Sequence, residues 1–266
     1  MKWLLRFWPI PTLLALQLLF WQVPAIDLTV SGWFWDAQEG FFLRELLPVQ
    51  WSYALFRDLP YVAVPMLVWL FFASWWWRGR AEAGLRRRLL FLFLVMGIGP
   101  GLLVNEVFKA ESGRARPATV EQFGGERRFT PAFEPADQCA SNCSFVSGHA
   151  AMGFWFLAFA WVLGDRRWLW WGGAIGLLVG GGRVIQGAHF LSDVLFGYPI
   201  VLVTALVVAR LLLGGGGRRR AARPLSRVAD WRDRCGWPRP RLRGSSATVR
   251  SPAGAAGLGP DGGRCP

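Results

Sequence analysis

The chain has 266 residues, 53% of them hydrophobic, with 17 tryptophans and a formal charge of +13. An ordinary soluble domain is excluded by that pairing of apolar bulk with basic excess, whereas a membrane protein has a lipid-facing apolar surface and collects its positive charge in cytoplasmic loops. A nucleic-acid-binding module is excluded too, because the arginines sit between apolar runs or in the tail and are not interleaved with aromatics along one polar face.

A run of about 17–25 apolar residues can cross the hydrocarbon core. Six such spans are expected, over about 8–26, 60–77, 89–108, 149–164, 168–182 and 190–213. The predicted fold class is therefore all-α, a polytopic membrane bundle of six transmembrane helices. The first run follows Lys2 and Arg6 and ends in "VPAID", the layout of a signal peptide. Pro9 and Pro11 early in the run, and the lack of an A-x-A site, favour a retained anchor. Residues 27–59 carry Asp27, Asp36, Glu39 and Glu45 among many aromatics, and read either as an amphipathic shelf on the interface or as a packed connector.

Arginine then sets orientation. "RGRAEAGLRRR" (78–88) separates the second and third spans, "DRR" (165–167) the fourth and fifth, and "GRRRAAR" (217–223) follows the sixth. The remaining loops are acidic or balanced, so both termini are expected in the cytoplasm, with 27–59, 109–148 and 183–189 outside. From residue 214 the chain turns to Gly, Arg, Pro, Ser and Ala, which cannot bury enough apolar surface to offset ordering. Two regions follow: a membrane domain over 1–213 and a disordered basic tail over 214–266, either touching anionic headgroups or simply solvated. Cys139 and Cys143 ("CASNC") lie in an outward loop, where an oxidising periplasm would let them pair; two free thiols are the alternative. Cys235 and Cys265 fall in the tail and carry no argument.

Three polar clusters gather at span ends that all open outward. In "KAESGRARP" (109–117), Lys109 is the only lysine besides Lys2, which suggests a demand for a compact ammonium charge; a snorkelling residue is the plain alternative. "SGH" (147–149) opens the fourth span, where free N–H groups attract anions, Gly148 allows close backbone approach and Ser147 adds a hydroxyl. An ordinary helix start capped by Ser147 is the competing reading. In "RVIQGAHFLSD" (183–193), His189 and Asp193 are four apart and would share one helix face, the carboxylate supporting the imidazole. Arg183 can grip two oxygens of one phosphate. The same His and Asp are potential metal ligands, but so much surrounding arginine repels a cation and selects an anion.

In order and spacing, these clusters resemble the three-part signature of the type 2 phosphatidic acid phosphatase superfamily. Its parts here are Lys109 with six residues before Arg116-Pro117, then Ser147-Gly148-His149, then Arg183 with five residues before His189 and three more before Asp193. The resemblance covers about 27–213. Two positions depart: Val146 stands where the family usually has proline, and Gly182 where it has serine, so one hydroxyl donor is missing.

The resemblance implies a phosphatase without a cofactor or metal. His189 would attack phosphorus with Asp193 behind it, and His149 would protonate the leaving alkoxide and then activate water. Lys109, Arg116, Arg183, Ser147 and the Gly148 amide would hold the phosphoryl oxygens. The loop "FGGERRFTPAFEPADQCASNCSFVSGH" is similar to that of bacterial lipid A phosphatases, which implies a multi-pass inner-membrane enzyme with a periplasmic site and a lipid A phosphate as substrate. Undecaprenyl pyrophosphate, phosphatidylglycerophosphate and phosphatidic acid are the other candidate lipids. A lipid phosphotransferase would use the same site, and a non-enzymatic scaffold is disfavoured because both histidines fall on the signature.

Overall fold

The computed structural model describes residues 9–76 and 81–214. The expected tail, with Cys235 and Cys265, lies outside them, as do Lys2 and Arg6. Among the described residues the architecture is all-helical, with no strand and two isolated bridges, Asp36 to Gly40 and Val120 to Arg127. The helices are α1 (Pro9–Gln22), α2 (Ala25–Gly32), α3 (Leu47–Ala73), α4 (Ala81–Met96), α5 (Gly148–Phe154), α6 (Arg167–Ile185), α7 (Leu191–Leu195) and α8 (Gly197–Leu213). Helix α4 runs on as a π-helical stretch (Gly97–Phe108) and a final turn (Lys109–Ser112); α5 runs on through Trp155–Ala158 to Phe159–Leu163.

Three helical stretches are long and apolar enough to cross a membrane: Leu47–Ala73, Ala83–Thr119 and Leu191–Leu213. A fourth is reached if α1 and α2, bent by 80° at Val23-Pro24, are one broken span. The expectation of six therefore meets three or four by length and composition. Gly148–Leu163 is apolar but shorter, and α6 is rich in Gly and Trp. The second span also differs from its expected place, because α3 begins at Leu47 and runs straight through Pro60 and Pro65. Its outer face keeps Trp51, Tyr61, Val62 and Trp69 exposed, which suits hydrocarbon and not water.

Segment 27–59 is in part a packed connector: Asp27, Ser31, Phe41, Val49 and Phe56 are buried. Phe41 joins Val120, Phe123 and Phe190 in a small separate cluster. The main core runs between α4, α5, α6 and α8, with Phe91, Val95, Phe154, Leu157 and Val201 almost without exposure. Helix α6 approaches α5 through Gly172, Gly176 and Gly180, one residue every fourth position. A Cβ would sit 2.2 Å from Leu157 N at Gly172, 2.0 Å from the Phe154 ring at Gly176 and 2.2 Å from Val194 at Gly180. In lipid, helix association depends on this kind of close backbone contact, because apolar burial alone gives little gain.

Candidate active site

The three signature clusters end at one place. Lys109 closes the α4 stretch, His149 opens α5, Arg183 is in the last turn of α6, and His189 lies in the short turn before α7. Arg183, His189, Lys109 and Arg116 all lie within electrostatic reach of His149.

His189 and Asp193 reach each other differently from the expected i,i+4 pair on one helix. Gly187, with φ of +65°, ends the α6 turn, and the chain is extended at Phe190 before α7 begins. His189 therefore precedes the helix. Asp193 sits at its third position and accepts the Phe190 N–H at 2.8 Å. The Nδ1 atom of His189 is 2.7 Å from the Ser144 carbonyl and 3.6 Å from Asp193 Oδ2. A carbonyl only accepts, so Nδ1 carries the proton and Nε2 carries the free lone pair. Burial pushes the His189 ring down to about 4, against the upward pull of Asp193. The ring is neutral at ordinary pH, with Nε2 unprotonated.

Asp193 is fully buried and its partners account for both oxygens. Oδ2 takes the Ser144 hydroxyl at 2.5 Å, and Oδ1 takes Arg114 Nη1 at 2.5 Å. Ser147 donates its backbone N–H to the Asp193 carbonyl at 3.0 Å, which ties the second cluster to the third. The Ser147 hydroxyl accepts the Ala150 N–H at 3.4 Å, so it also serves as the helix cap. At Gly148 a Cβ would lie 2.5 Å from Asn105 Oδ1, so a larger residue would have to displace the Asn105 amide. The peptide bond into Val146, where the resemblance leads one to expect proline, is cis.

The cations have partial partners. Lys109 Nζ donates to Asn142 Oδ1 at 3.0 Å, and Arg116 Nη2 donates to the Asn142 carbonyl at 2.8 Å. Asn142 is the residue just before Cys143, which forms a disulfide with Cys139. Arg183 pairs with Gln186 and lies 4.6 Å over the Tyr53 ring, while its Nε has no partner. His149 also stacks against Tyr53, centroids 4.9 Å apart, and its Nε2 is likewise unpartnered. Two buried nitrogens without partners, beside two more cations, make an arrangement that can take an oxyanion. At the Gly182 departure, a Cβ would come within 4.0 Å of Ser52 Oγ, so α3 brings a hydroxyl near the place where serine is missing.

Sequence reasoning passed over Arg114, Ser144, Tyr53 and Asn142. Arg114 sits inside the six-residue gap between Lys109 and Arg116, where spacing alone gave it no role. Tyr53 lies in a segment expected to be loop. Neither carries a local signal; each is defined by what folds onto it.

Comparisons with known proteins give the family. The PAP2 superfamily profile matches residues 88–214. A lipid A 4'-phosphatase of Rhizobium leguminosarum is 34% identical over 211 residues, 73% of this chain and 89% of that protein. The chain belongs to the PAP2 superfamily. A lipid A 4'-phosphatase of Francisella tularensis subsp. novicida is 44% identical over 127 residues, 46% of this chain and only 57% of that protein. A lipid A 1-phosphatase of Rhizobium etli is 40% identical over 115 residues, 41% of this chain and 46% of that protein. No solved structure matches. Family and relatives together mark the PAP2 protein as a phosphatase, a hydrolase of phosphoester bonds.

Proposed function

We propose that this PAP2 phosphatase removes the 4'-phosphate of lipid A at the periplasmic face of a bacterial inner membrane, through a phosphohistidine on His189. The observation that carries the reading is the His189 ring, with Nδ1–H committed to Ser144 and Nε2 free, in a site lined by Lys109, Arg116 and Arg183. Nε2 attacks phosphorus as the P–O bond to the sugar breaks, and the leaving oxygen takes its proton from His149. Water then attacks the phosphohistidine, giving a proton to His149 as the P–N bond breaks and His189 is restored. Lys109, Arg116, Arg183, Ser147 and the Gly148 amide hold the three equatorial oxygens, so positive charge comes from side chains in the role a metal ion fills elsewhere.

The 4'-position is favoured because the relatives matched over most of their length are named lipid A 4'-phosphatases. A six-span topology places both termini in the cytoplasm and the site outside, in keeping with the arginine asymmetry. The test is phosphate release by purified protein from lipid A labelled separately at the 4'- and 1-positions, with and without EDTA. Release of the 4'-label, unaffected by EDTA and blocked by orthovanadate, is expected. Loss of activity on chelation with recovery on Mg²⁺, or release of the 1-label alone, would refute the proposal as stated.

A further inference from the structure

Behind the site a closed network of buried charges links α2 to the third cluster. Arg114, 1% exposed, donates Nη1 to Asp193 Oδ1 at 2.5 Å and to Ser192 Oγ at 2.8 Å. It donates Nη2 to Asp27 Oδ2 at 2.8 Å and Nε to the Thr130 carbonyl at 2.8 Å. Its guanidinium lies 4.4 Å over the Phe190 ring. Asp27, also 1% exposed, accepts the Ser192 N–H at 2.8 Å and the Ser192 hydroxyl at 2.5 Å. Asp27 therefore docks on the first turn of α7, 165 residues away in sequence, as an acid at a helix N-terminus.

Such a network is costly unless complete. A buried carboxylate or guanidinium loses its water, and only full pairing compensates. Had structure alone been at stake, one neutral pair, Arg114 with Asp193, would satisfy both ions. Here a second carboxylate is added, and with both ionised the cluster keeps one net negative charge directly behind the His189 ring.

We propose that Asp27 is a positioning residue for the nucleophile, holding Arg114 and the α7 turn so that Asp193 stays beside His189 with its charge undiminished. The inference rests on the reading of His189 as nucleophile. When Nε2 bonds to phosphorus and Nδ1 keeps its proton, the ring becomes cationic. Asp193 faces that charge, and Arg114 alone would cancel it; Asp27 takes up the guanidinium's second fork. The interaction grows in the transition state and is weak in the ground state, so it acts on kcat. Lys109, Arg116 and Arg183, which hold the phosphate, do not touch Asp27.

The experiment compares Asp27→Asn with the unmodified full-length enzyme in detergent, using lipid A phosphate as substrate with inorganic phosphate and orthovanadate as inhibitors. Expected is a fall in kcat of about 10- to 100-fold, the range for residues that orient a reacting ligand, with a parallel loss of vanadate affinity. KM and the inhibition constant of inorganic phosphate should stay within about twofold, because they report ground-state binding. Unchanged kcat in a folded Asp27→Asn protein overturns the inference. So does a common change in all four constants, the pattern of general loosening. Should Asp27→Asn fail to fold, Ser192→Ala removes the hydroxyl shared by Asp27 and Arg114, and the same split decides. An unmodified enzyme that neither releases phosphate nor binds vanadate sinks the functional reading itself, before Asp27 is in question.

Discussion

The neutrality of His189 comes from burial, and its direction matters for rate. A nucleophilic imidazole works only unprotonated, and an ordinary histidine would be half protonated near pH 6.5. With His189 held down to about 4, the lone pair stays available throughout the range between. The acid limb of kcat/KM belonging to this group is therefore expected near pH 4, and a limb at the ordinary value would contradict its burial. Folding follows the same sign: the unfolded chain binds the proton more readily, so this residue's contribution falls as pH drops from 6.5 towards 4. His189→Ala should abolish turnover. His149→Ala should slow it by about 10²–10⁴, the usual cost of removing an acid–base group. Both should express and fold, since His149 is only partly buried and His189→Ala leaves Asp193 its contacts to Ser144 and Arg114. Near-normal phosphate release from either variant would remove the two-histidine mechanism.

Helix α6 carries an element-scale test, because its glycine stripe sets how near α5 can come. The α5 N-terminus bears Ser147, Gly148 and His149, while the α6 C-terminus bears Arg183, so their spacing sets the width of the proposed phosphate site. Gly176→Ala puts a Cβ 2.0 Å from the Phe154 ring. Overpacking of that kind costs about 1–3 kcal/mol, and thermal unfolding in detergent should register it together with a rise in KM. Gly181→Ala, on the same helix with nothing within 4 Å of its Cβ, is the matched control. It shares the helix-propensity gain of Gly→Ala without the clash, so it should not lower the unfolding temperature and should leave KM unchanged. Equal effects from the two would mean that α6 does not gauge the site.

At the scale of the whole molecule the question is sidedness. On the proposed topology the three clusters lie outside, and a Cys139–Cys143 disulfide would belong chemically to the same oxidising side. A membrane-impermeant thiol reagent applied to intact spheroplasts should label Cys139 and Cys143 only after reduction, and should reach Cys235, which lies outside the described residues, only once the membrane is opened. Labelling of Cys235 in sealed spheroplasts would invert the topology and put periplasmic lipid A out of reach.

The family signature was legible early because it is written in residue type and spacing: a lone lysine, Arg-Pro six residues later, Ser-Gly-His, and an arginine upstream of histidine and aspartate. Helical character was legible from apolar runs, since every span must satisfy its backbone internally. The extent of those helices was less so. Composition cannot register the 80° bend after Gln22, nor that α3 starts at Leu47, because turn and packing decide them. Asp27 read as a topology marker and Arg114 as filler between motif positions. Sequence by itself determined the helical class and the family signature, which are local properties of residue type and spacing. Tertiary structure alone decided that Asp27, Arg114, Ser192 and Asp193 share one buried network, and that Tyr53 stacks on His149. Those partners come from distant parts of the chain, and a buried charge declares its partner only when the fold has closed around both.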